Sequence, residues 1–220
     1  VFHGQLEEVI VPSPLRIAPR CAHFASCGGC RWQNLAYSDQ LKFKQEAIET
    51  LFRPILPDNL NIGSIVPCDP PWNYRNKMEF TFSGDVSGNK FAGLIMDSSR
   101  GKVLNITECH LVNPWIVDAL KAAREWWQES GLEPYYPPAD RGSLRTLTVR
   151  EAASTGDRLV MLTVSGNPAY ALNRHQLDTF VSFMRAAVEP AGPEENLSLF
   201  LRIQQAVKGE ETSFYEMLLY

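Results

Sequence analysis

The chain has 220 residues, a hydrophobic fraction of 45% and a formal net charge of -4. This length suffices for one large or two small domains with real cores, and no apolar run approaches the roughly 20 residues that a membrane-spanning helix needs. The net charge gives no global electrostatic argument for nucleic-acid binding. Residues 1–110 carry 11 Lys/Arg and 11 Asp/Glu against 10 and 14 in residues 111–220, so a polyanionic partner should bind the first half.

The first predicted element is a strand over residues 1–11, followed by a proline-containing turn region. The last is an apolar strand over residues 214–219, one residue before the final Tyr220. Because the sequence starts and stops inside such elements, we expect it to be a piece of a longer protein.

A cysteine-rich segment comes next, with Cys21, Cys27 and Cys30 inside ten residues and Gly28 and Gly29 between the last two. Glycine permits a tight backbone turn and leaves N–H groups that can bond sulfur atoms. This composition predicts a loop that directs three thiols toward one centre.

A first helix is predicted over about residues 38–53, with Ser38 as its N-cap. Its apolar residues recur at helical spacing on one face, which predicts a buried side: Leu41, Ile48, Leu51 and Phe52. Prolines between positions 54 and 71 then predict a linker into a second, larger unit.

The second unit alternates strands and helices. Residues 79–82 and 91–95 predict a hairpin around a glycine-containing turn, and residues 103–107 predict a short strand that leads to Cys109. The remaining predicted elements are a helix over 113–131, a hairpin of 144–150 with 158–165, a helix over about 173–188, and strands over 197–203 and 214–219. This order is typical of an α+β fold.

The helical period predicts different burial for the two tryptophans of the 113–131 helix. Trp127 falls on the apolar stripe, so we expect it in the core, with Trp126 more exposed. Pro114 at the first turn and Gly131 at the end follow the usual distribution of these residues at helix ends.

The three clustered thiols and the remote Cys109 predict an iron–sulfur cluster, because three close cysteines and one distant one are a common ligand set for such a site. Structural zinc stays an alternative, although zinc sites usually pair two close cysteines twice and Cys109 has no such neighbour. An odd count of 5 cysteines and no secretory signal disfavour a disulfide framework. We interpret Cys68 as a partly buried free thiol.

Three motifs resemble the TrmA/RumA-type RNA (uracil-5-)-methyltransferases, which use S-adenosylmethionine to form 5-methyluridine in ribosomal or transfer RNA. The motifs are Cys21-x5-Cys27-Gly-Gly-Cys30-Arg-Trp-Gln33, Tyr74-Arg-Asn-Lys77-Met-Glu-Phe80 and Glu108-Cys109-His-Leu-Val-Asn-Pro114. The resemblance covers most of residues 6–220 in order.

The resemblance implies a domain order. Residues 1–11 would be the last strand of a truncated TRAM β-barrel, and residues 12–220 a central domain of antiparallel sheet and packed helices. A 4Fe-4S cluster would be held by Cys21, Cys27, Cys30 and Cys109, in a structural rather than a redox role.

The catalytic methyltransferase domain is expected to be absent. The sequence has no glycine-rich turn for S-adenosylmethionine and no Asp-Pro-Pro-Arg segment of the kind that precedes the family's catalytic cysteine. We therefore assign no catalytic or S-adenosylmethionine-binding residue, and expect the chain alone to be inactive. Two other functions stay open, a separate zinc- or iron–sulfur-containing nucleic-acid-binding module and an electron carrier.

RNA is the partner that the resemblance implies, in a cytoplasmic monomer without membrane contact. The candidate RNA contacts combine aromatic and cationic side chains, which stack on bases and bind phosphates: Arg31, Trp32, Trp72, Tyr74, Arg75, Asn76 and Lys77. Packing of Trp72 and Tyr74 against the sheet is equally open, and Arg75 and Lys77 could pair with Glu79. His23 and His110 are expected to support the metal ligands or to face solvent rather than to be ligands.

Overall fold

The computed structural model describes residues 7–57, 59–192, 195–206, 209 and 211–220. A seven-stranded sheet is its largest feature, with strand order β3-β2-β1-β4-β5-β6-β7. The strands are β1 Lys77–Gly84, β2 Lys90–Ile95, β3 Val103–Leu104, β4 Leu144–Glu151, β5 Arg158–Ser165, β6 Leu197–Gln205 and β7 Ser213–Leu218. Three α-helices accompany the sheet: α1 Tyr37–Phe52, α2 Pro114–Ser130 and α3 Arg174–Val188.

The sheet is mixed. Neighbouring strands run antiparallel except β5 and β6, which pair in parallel over eight residues, from Arg158 opposite Leu197 to Ser165 opposite Gln204. Parallel neighbours need a crossover connection, and α3 supplies it. The predicted α+β class is confirmed, and the prediction of a purely antiparallel sheet was wrong because the β5–β6 connection passes through a helix.

Helices α2 and α3 pack against each other and against the sheet to form the core. Trp126 and Trp127 are both 1% exposed, so the prediction of an exposed Trp126 was wrong. Phe180 of α3 lies edge-on against Trp126 at 5.0 Å between ring centroids, and Phe82 of β1 lies against Trp127 at 5.1 Å. Trp126 therefore packs against α3 and Trp127 against the sheet, because α3 covers the side of α2 that the sheet does not.

The ends of α2 follow the sequence signals. The helix starts at Pro114 and stops before Gly131, whose φ of 69° is in the left-handed region that glycine adopts without strain. The strand expected over residues 103–107 is shorter, Val103–Leu104.

Helix α1 begins at Tyr37, one residue before the predicted start, and Ala36 rather than Ser38 is its N-cap. None of its residues is buried, and Leu51 is 69% exposed. The predicted apolar face therefore exists in sequence but does not pack into the core of the described chain. Polar contacts hold the helix instead, among them the Gln40 side chain, which donates to the carbonyls of Trp32 and Leu35 at 2.9 Å each.

The strand predicted for residues 1–11 is tested only in part. Residues 1–6 lie outside the described residues, and residues 7–11 form no strand.

The start of α3 carries a reciprocal capping box, which gives a first prediction. Asn173 Oδ1 accepts from the Gln176 N–H, and Gln176 Oε1 accepts from the Asn173 N–H, each at 2.9 Å. Replacing Asn173 by alanine is expected to lower the free energy of unfolding by about 1 kcal/mol, measured by urea denaturation. The exposed Asn61, changed to alanine, is the control. An unchanged stability of Asn173→Ala would contradict the capping role.

Candidate metal centre and nucleic-acid interface

The cysteine-rich loop, residues 21–30, lies against the end of β2. The Gly28 N–H donates to the Ile95 carbonyl at 3.1 Å, and the Asp97 N–H donates to the Ser26 carbonyl at 3.0 Å. A Cβ added at Gly28 would lie 3.1 Å from that Ile95 oxygen, so the absence of a side chain permits the close approach. Backbone bonds therefore fix the loop on the sheet.

Cys21, Cys27, Cys30 and Cys109 line a single pocket. The first three come from the loop, and Cys109 follows β3 and precedes α2. Much of the remaining lining is apolar, from Phe24, Met78, Leu94, Ile106 and Leu111. The structure thus brings the four predicted ligands together, although 79 positions separate Cys30 from Cys109 (109 minus 30).

The surroundings of Cys109 and Cys21 raise the pKa of both thiols. Burial raises the pKa of Cys109, and the neighbouring Cys30 and Cys27 raise it further. Burial also raises the pKa of Cys21. Metal ligation needs thiolates, so a bound cationic centre would have to offset this cost. Backbone N–H groups also contact sulfur, as the Gly29 N–H does at 3.4 Å from Cys27 Sγ.

Among the residues that the structure describes, no group of three or more His, Cys, Asp or Glu side chains is arranged to hold a metal ion. The four thiols share a pocket without converging on a single ion-binding point.

His23 and Glu108 connect the loop to the Cys109 segment. Glu108 Oε1 accepts from the Ala22 N–H at 2.6 Å, and His23 Nε2 accepts from the Thr107 N–H at 2.9 Å. His110 Nε2 lies 3.6 Å from Glu108 Oε1. His23 thus contacts Thr107, two residues before Cys109, and His110 lies near Glu108; a role of either histidine in supporting metal ligands stays a prediction.

A groove of about 680 Å³ adjoins the thiol pocket. Its aromatic lining is Trp32, Tyr37, Trp72 and Tyr74, and its cationic lining is Arg20, Arg31 and Lys44. Two cations lie over aromatic rings: Arg20 at 5.1 Å from the Trp72 centroid and Lys44 at 6.0 Å from the Trp32 centroid. Gly29, Cys30, Gln33 and Leu111 line both the groove and the thiol pocket.

Four of the seven candidate RNA contacts, Arg31, Trp32, Trp72 and Tyr74, line this groove. Trp32 is 43% and Tyr74 60% exposed, so their rings are accessible. Trp72 is half-buried and lies edge-on to His110, with 6.1 Å between ring centroids. Tyr74 is thus not packed into the sheet, and Trp72 is partly buried against His110.

The other three candidates lie elsewhere. Arg75 lines the thiol pocket, the Asn76 carbonyl accepts from the Glu151 N–H at 2.9 Å, and Lys77 is exposed at the start of β1. Among the described residues, Glu79 forms no ion pair with Arg75 or Lys77, and its Oε2 accepts instead from the Thr148 hydroxyl at 3.2 Å.

The sequence reasoning missed Arg20, Tyr37 and Gln40 as groove residues. Arg20 directly precedes Cys21, but a lone arginine next to a cysteine carries no signal of its own. Its position over Trp72 depends on a contact between residues 52 positions apart (72 minus 20).

Cys68 is exposed and lines the groove, so the prediction of a partly buried thiol was wrong. Its N–H donates to the Tyr37 hydroxyl at 2.8 Å, which holds this segment at the surface beside α1. Among the helices that the structure describes, none has the length and apolar character to cross a membrane.

No family model matches the chain. It is 53% identical over 219 residues to an uncharacterized RNA methyltransferase of Protochlamydia amoebophila, a match to 100% of this chain and 49% of that protein. An uncharacterized RNA methyltransferase of Chlamydia pneumoniae is 36% identical over 201 residues, a match to 91% of this chain and 49% of that protein. The chain spans about half the length of the curated relatives it matches.

A solved structure has a similar fold. It is the Pyrococcus abyssi tRNA (uracil-54, C5)-methyltransferase in complex with S-adenosyl-L-homocysteine, which is 18% identical with a TM-score of 0.63. The similarity covers 96% of this chain and 47% of the other.

Proposed function

Because this chain is a homologue of proteins named RNA methyltransferases, we propose that it is the cluster-bearing, RNA-binding part of an S-adenosylmethionine-dependent RNA (uracil-5-)-methyltransferase. We assign residues 12–220 to its central domain, and since residues 7–11 form no strand, we assign no barrel strand to them. The observation that carries the proposal is the adjacency of two features, a pocket with four thiols and a groove with aromatic and cationic side chains, which share Cys30 in their walls.

The donor set fits a 4Fe-4S cluster. Four thiols face one pocket with a largely apolar lining, and the Gly29 N–H already bonds the sulfur of Cys27. Such clusters are held by four cysteine thiolates, and hydrogen bonds to sulfur tune them. A bound cluster would supply a cross-link between the loop and the segment of Cys109, so its role here is structural.

Zinc fits this site less well. Structural zinc sites usually take two pairs of close cysteines. Here Cys27 and Cys30 form one such pair, whereas Cys109 has no second cysteine near it.

The groove is suited to unpaired nucleotides. Proteins read single-stranded RNA by stacking bases on aromatic or arginine side chains and by placing cations along the phosphates. Trp32 and Tyr74 offer accessible rings, and Arg20, Arg31 and Lys44 offer positive charge along the same groove. In a chain with a net charge of -4, this local cationic lining is the feature that attracts RNA.

Methyl transfer to uracil needs a nucleophilic cysteine and a binding site for S-adenosylmethionine. The C5 carbon of uracil is a poor nucleophile, so a cysteine thiolate first adds to C6. The enolate then attacks the methyl sulfonium and releases S-adenosylhomocysteine, and a base removes the C5 proton as the thiolate leaves C6. Four cysteines of this chain belong to the pocket, and we assign Cys68 no such role. This part therefore binds and orients RNA, and a separate domain holds S-adenosylmethionine and the nucleophile.

Thiol reactivity and metal analysis test the cluster. Protein purified without oxygen is expected to contain about four iron and four sulfide ions per chain and to absorb at roughly 400 nm. In this loaded protein iodoacetamide should modify only Cys68, and after removal of the iron it should modify all five cysteines. Labelled peptides are identified by mass spectrometry.

A Cys68→Ser variant is the control, since the loaded variant should take up no label. Zinc in place of iron, or equal modification of Cys21 and Cys68 in the loaded protein, would overturn the cluster proposal.

A further inference from the structure

We infer that Glu108 is a positioning residue that ties the two thiol-bearing segments together, so that the four cysteines are gathered before a cluster binds. This inference rests on the proposed cluster function. It concerns the side chains next to the thiols and assigns Glu108 no role as a metal ligand.

The first observation is the bond between Glu108 and Ala22. Glu108 Oε1 accepts from the Ala22 N–H at 2.6 Å, across 86 positions of the chain. Ala22 follows Cys21 directly, and Glu108 directly precedes Cys109. A carboxylate that accepts from a backbone N–H forms a charge-assisted bond, which is stronger than a neutral one. This bond therefore joins the immediate neighbours of two predicted ligands.

A second bond lies beside it. His23 Nε2 lies 2.9 Å from the Thr107 N–H, which donates to it, and 3.0 Å from the Thr107 hydroxyl. His23 is two residues after Cys21, and Thr107 is two residues before Cys109. The two bonds thus join the same pair of segments in antiparallel order, and neither bond uses a thiol.

These hydrogen bonds matter because assembly of a cluster needs all four thiols in one place. Bringing together chain segments separated by roughly 90 residues costs conformational entropy, and a site already ordered before binding avoids that cost at the moment of binding. The loop also bonds to the end of β2 through Gly28. With Glu108 in place, the loop is fixed on one side to the sheet and on the other to the Cys109 segment.

Glu108 lines the thiol pocket and is not part of the groove lining. Its removal is therefore expected to affect the cluster before RNA affinity. Glutamine at this position keeps an oxygen that can accept from the Ala22 N–H, whereas alanine removes it. The pair Glu108→Gln and Glu108→Ala thus separates loss of the negative charge from loss of the acceptor oxygen.

The first measurement is the release of iron to a chelator under anaerobic conditions. Loss of a hydrogen bond to a charged group predicts release about tenfold faster in Glu108→Ala than in the wild type. Glu108→Gln keeps a neutral acceptor and should release iron more slowly than Glu108→Ala, and the exposed Glu125→Ala on α2 should equal the wild type. Release at the wild-type rate from Glu108→Ala, or equal defects in both Glu108 variants, would overturn the inference.

The second measurement is amide hydrogen exchange in the iron-free proteins. Glu108→Ala and His23→Ala should exchange faster over residues 21–30, while strands β4 and β5 keep their protection. General loss of protection in the sheet would mean a role in overall stability and would overturn the inference, as would unchanged exchange in the loop. If the wild type bound no iron, the cluster proposal would fail, and this exchange experiment would still decide whether Glu108 ties the two segments.

Discussion

Replacing Cys109 by serine is expected to remove nearly all iron from the protein and to lower its stability before it alters RNA contacts. Cys109 is the only one of the four pocket thiols outside the loop, so its loss leaves the loop without its remote partner. A cross-link that closes a loop of roughly 90 residues stabilises a protein by about 4 kcal/mol in the chain-entropy description of disulfides, which we apply here by analogy. The variant should therefore unfold at a clearly lower denaturant concentration.

The comparison is with Cys68→Ser, which removes a thiol of the groove and should keep its iron. Iron content, denaturant midpoint and RNA affinity are measured on the same preparations. Full iron content in Cys109→Ser would show that Cys109 is not a ligand. A fall in RNA affinity with unchanged stability would contradict a structural role for the cluster.

The second large effect is expected in the groove. Stacking of one base on an aromatic side chain is worth about 1–3 kcal/mol. Trp32→Ala and Tyr74→Ala should each weaken binding of a uridine-containing single-stranded RNA by about tenfold or more, with unchanged iron content. Fluorescence anisotropy with a labelled oligonucleotide measures the affinity.

Tyr136→Ala is a matched control, because Tyr136 is 60% exposed like Tyr74 but lies outside the groove. If all three variants bound RNA equally well, the groove would not be the RNA-binding surface. A reduced salt dependence in a Lys44→Ala variant would locate a phosphate beside Trp32.

Local signals explain which parts of the fold could be predicted. Pro114 and Gly131 delimit α2, and the apolar period of residues 173–188 gives α3 within one residue, because caps and helical period act between close neighbours in sequence. The spacing of the cysteines predicted a metal cluster, which stays a prediction, although the four thiols do line one pocket.

The predictions that failed depend on contacts between residues that are far apart in the sequence. The burial of Trp126 depends on Phe180 of another helix, and the parallel pairing of β6 depends on the path of α3. The period of α1 predicted an apolar face but could not tell whether anything in this chain covers it. The bond from Ala22 to Glu108 joins residues 86 positions apart, so no local pattern reveals it.

Strand β7 lies at the end of the strand order, and all six of its residues are exposed. Phe214 and Met217 are among its large apolar side chains. An edge strand offers unpaired backbone groups to which a strand of another molecule can add. Self-association through this edge would therefore compete with ligand titrations at high protein concentration, so binding constants for this chain are best determined on dilute samples with light scattering as a check.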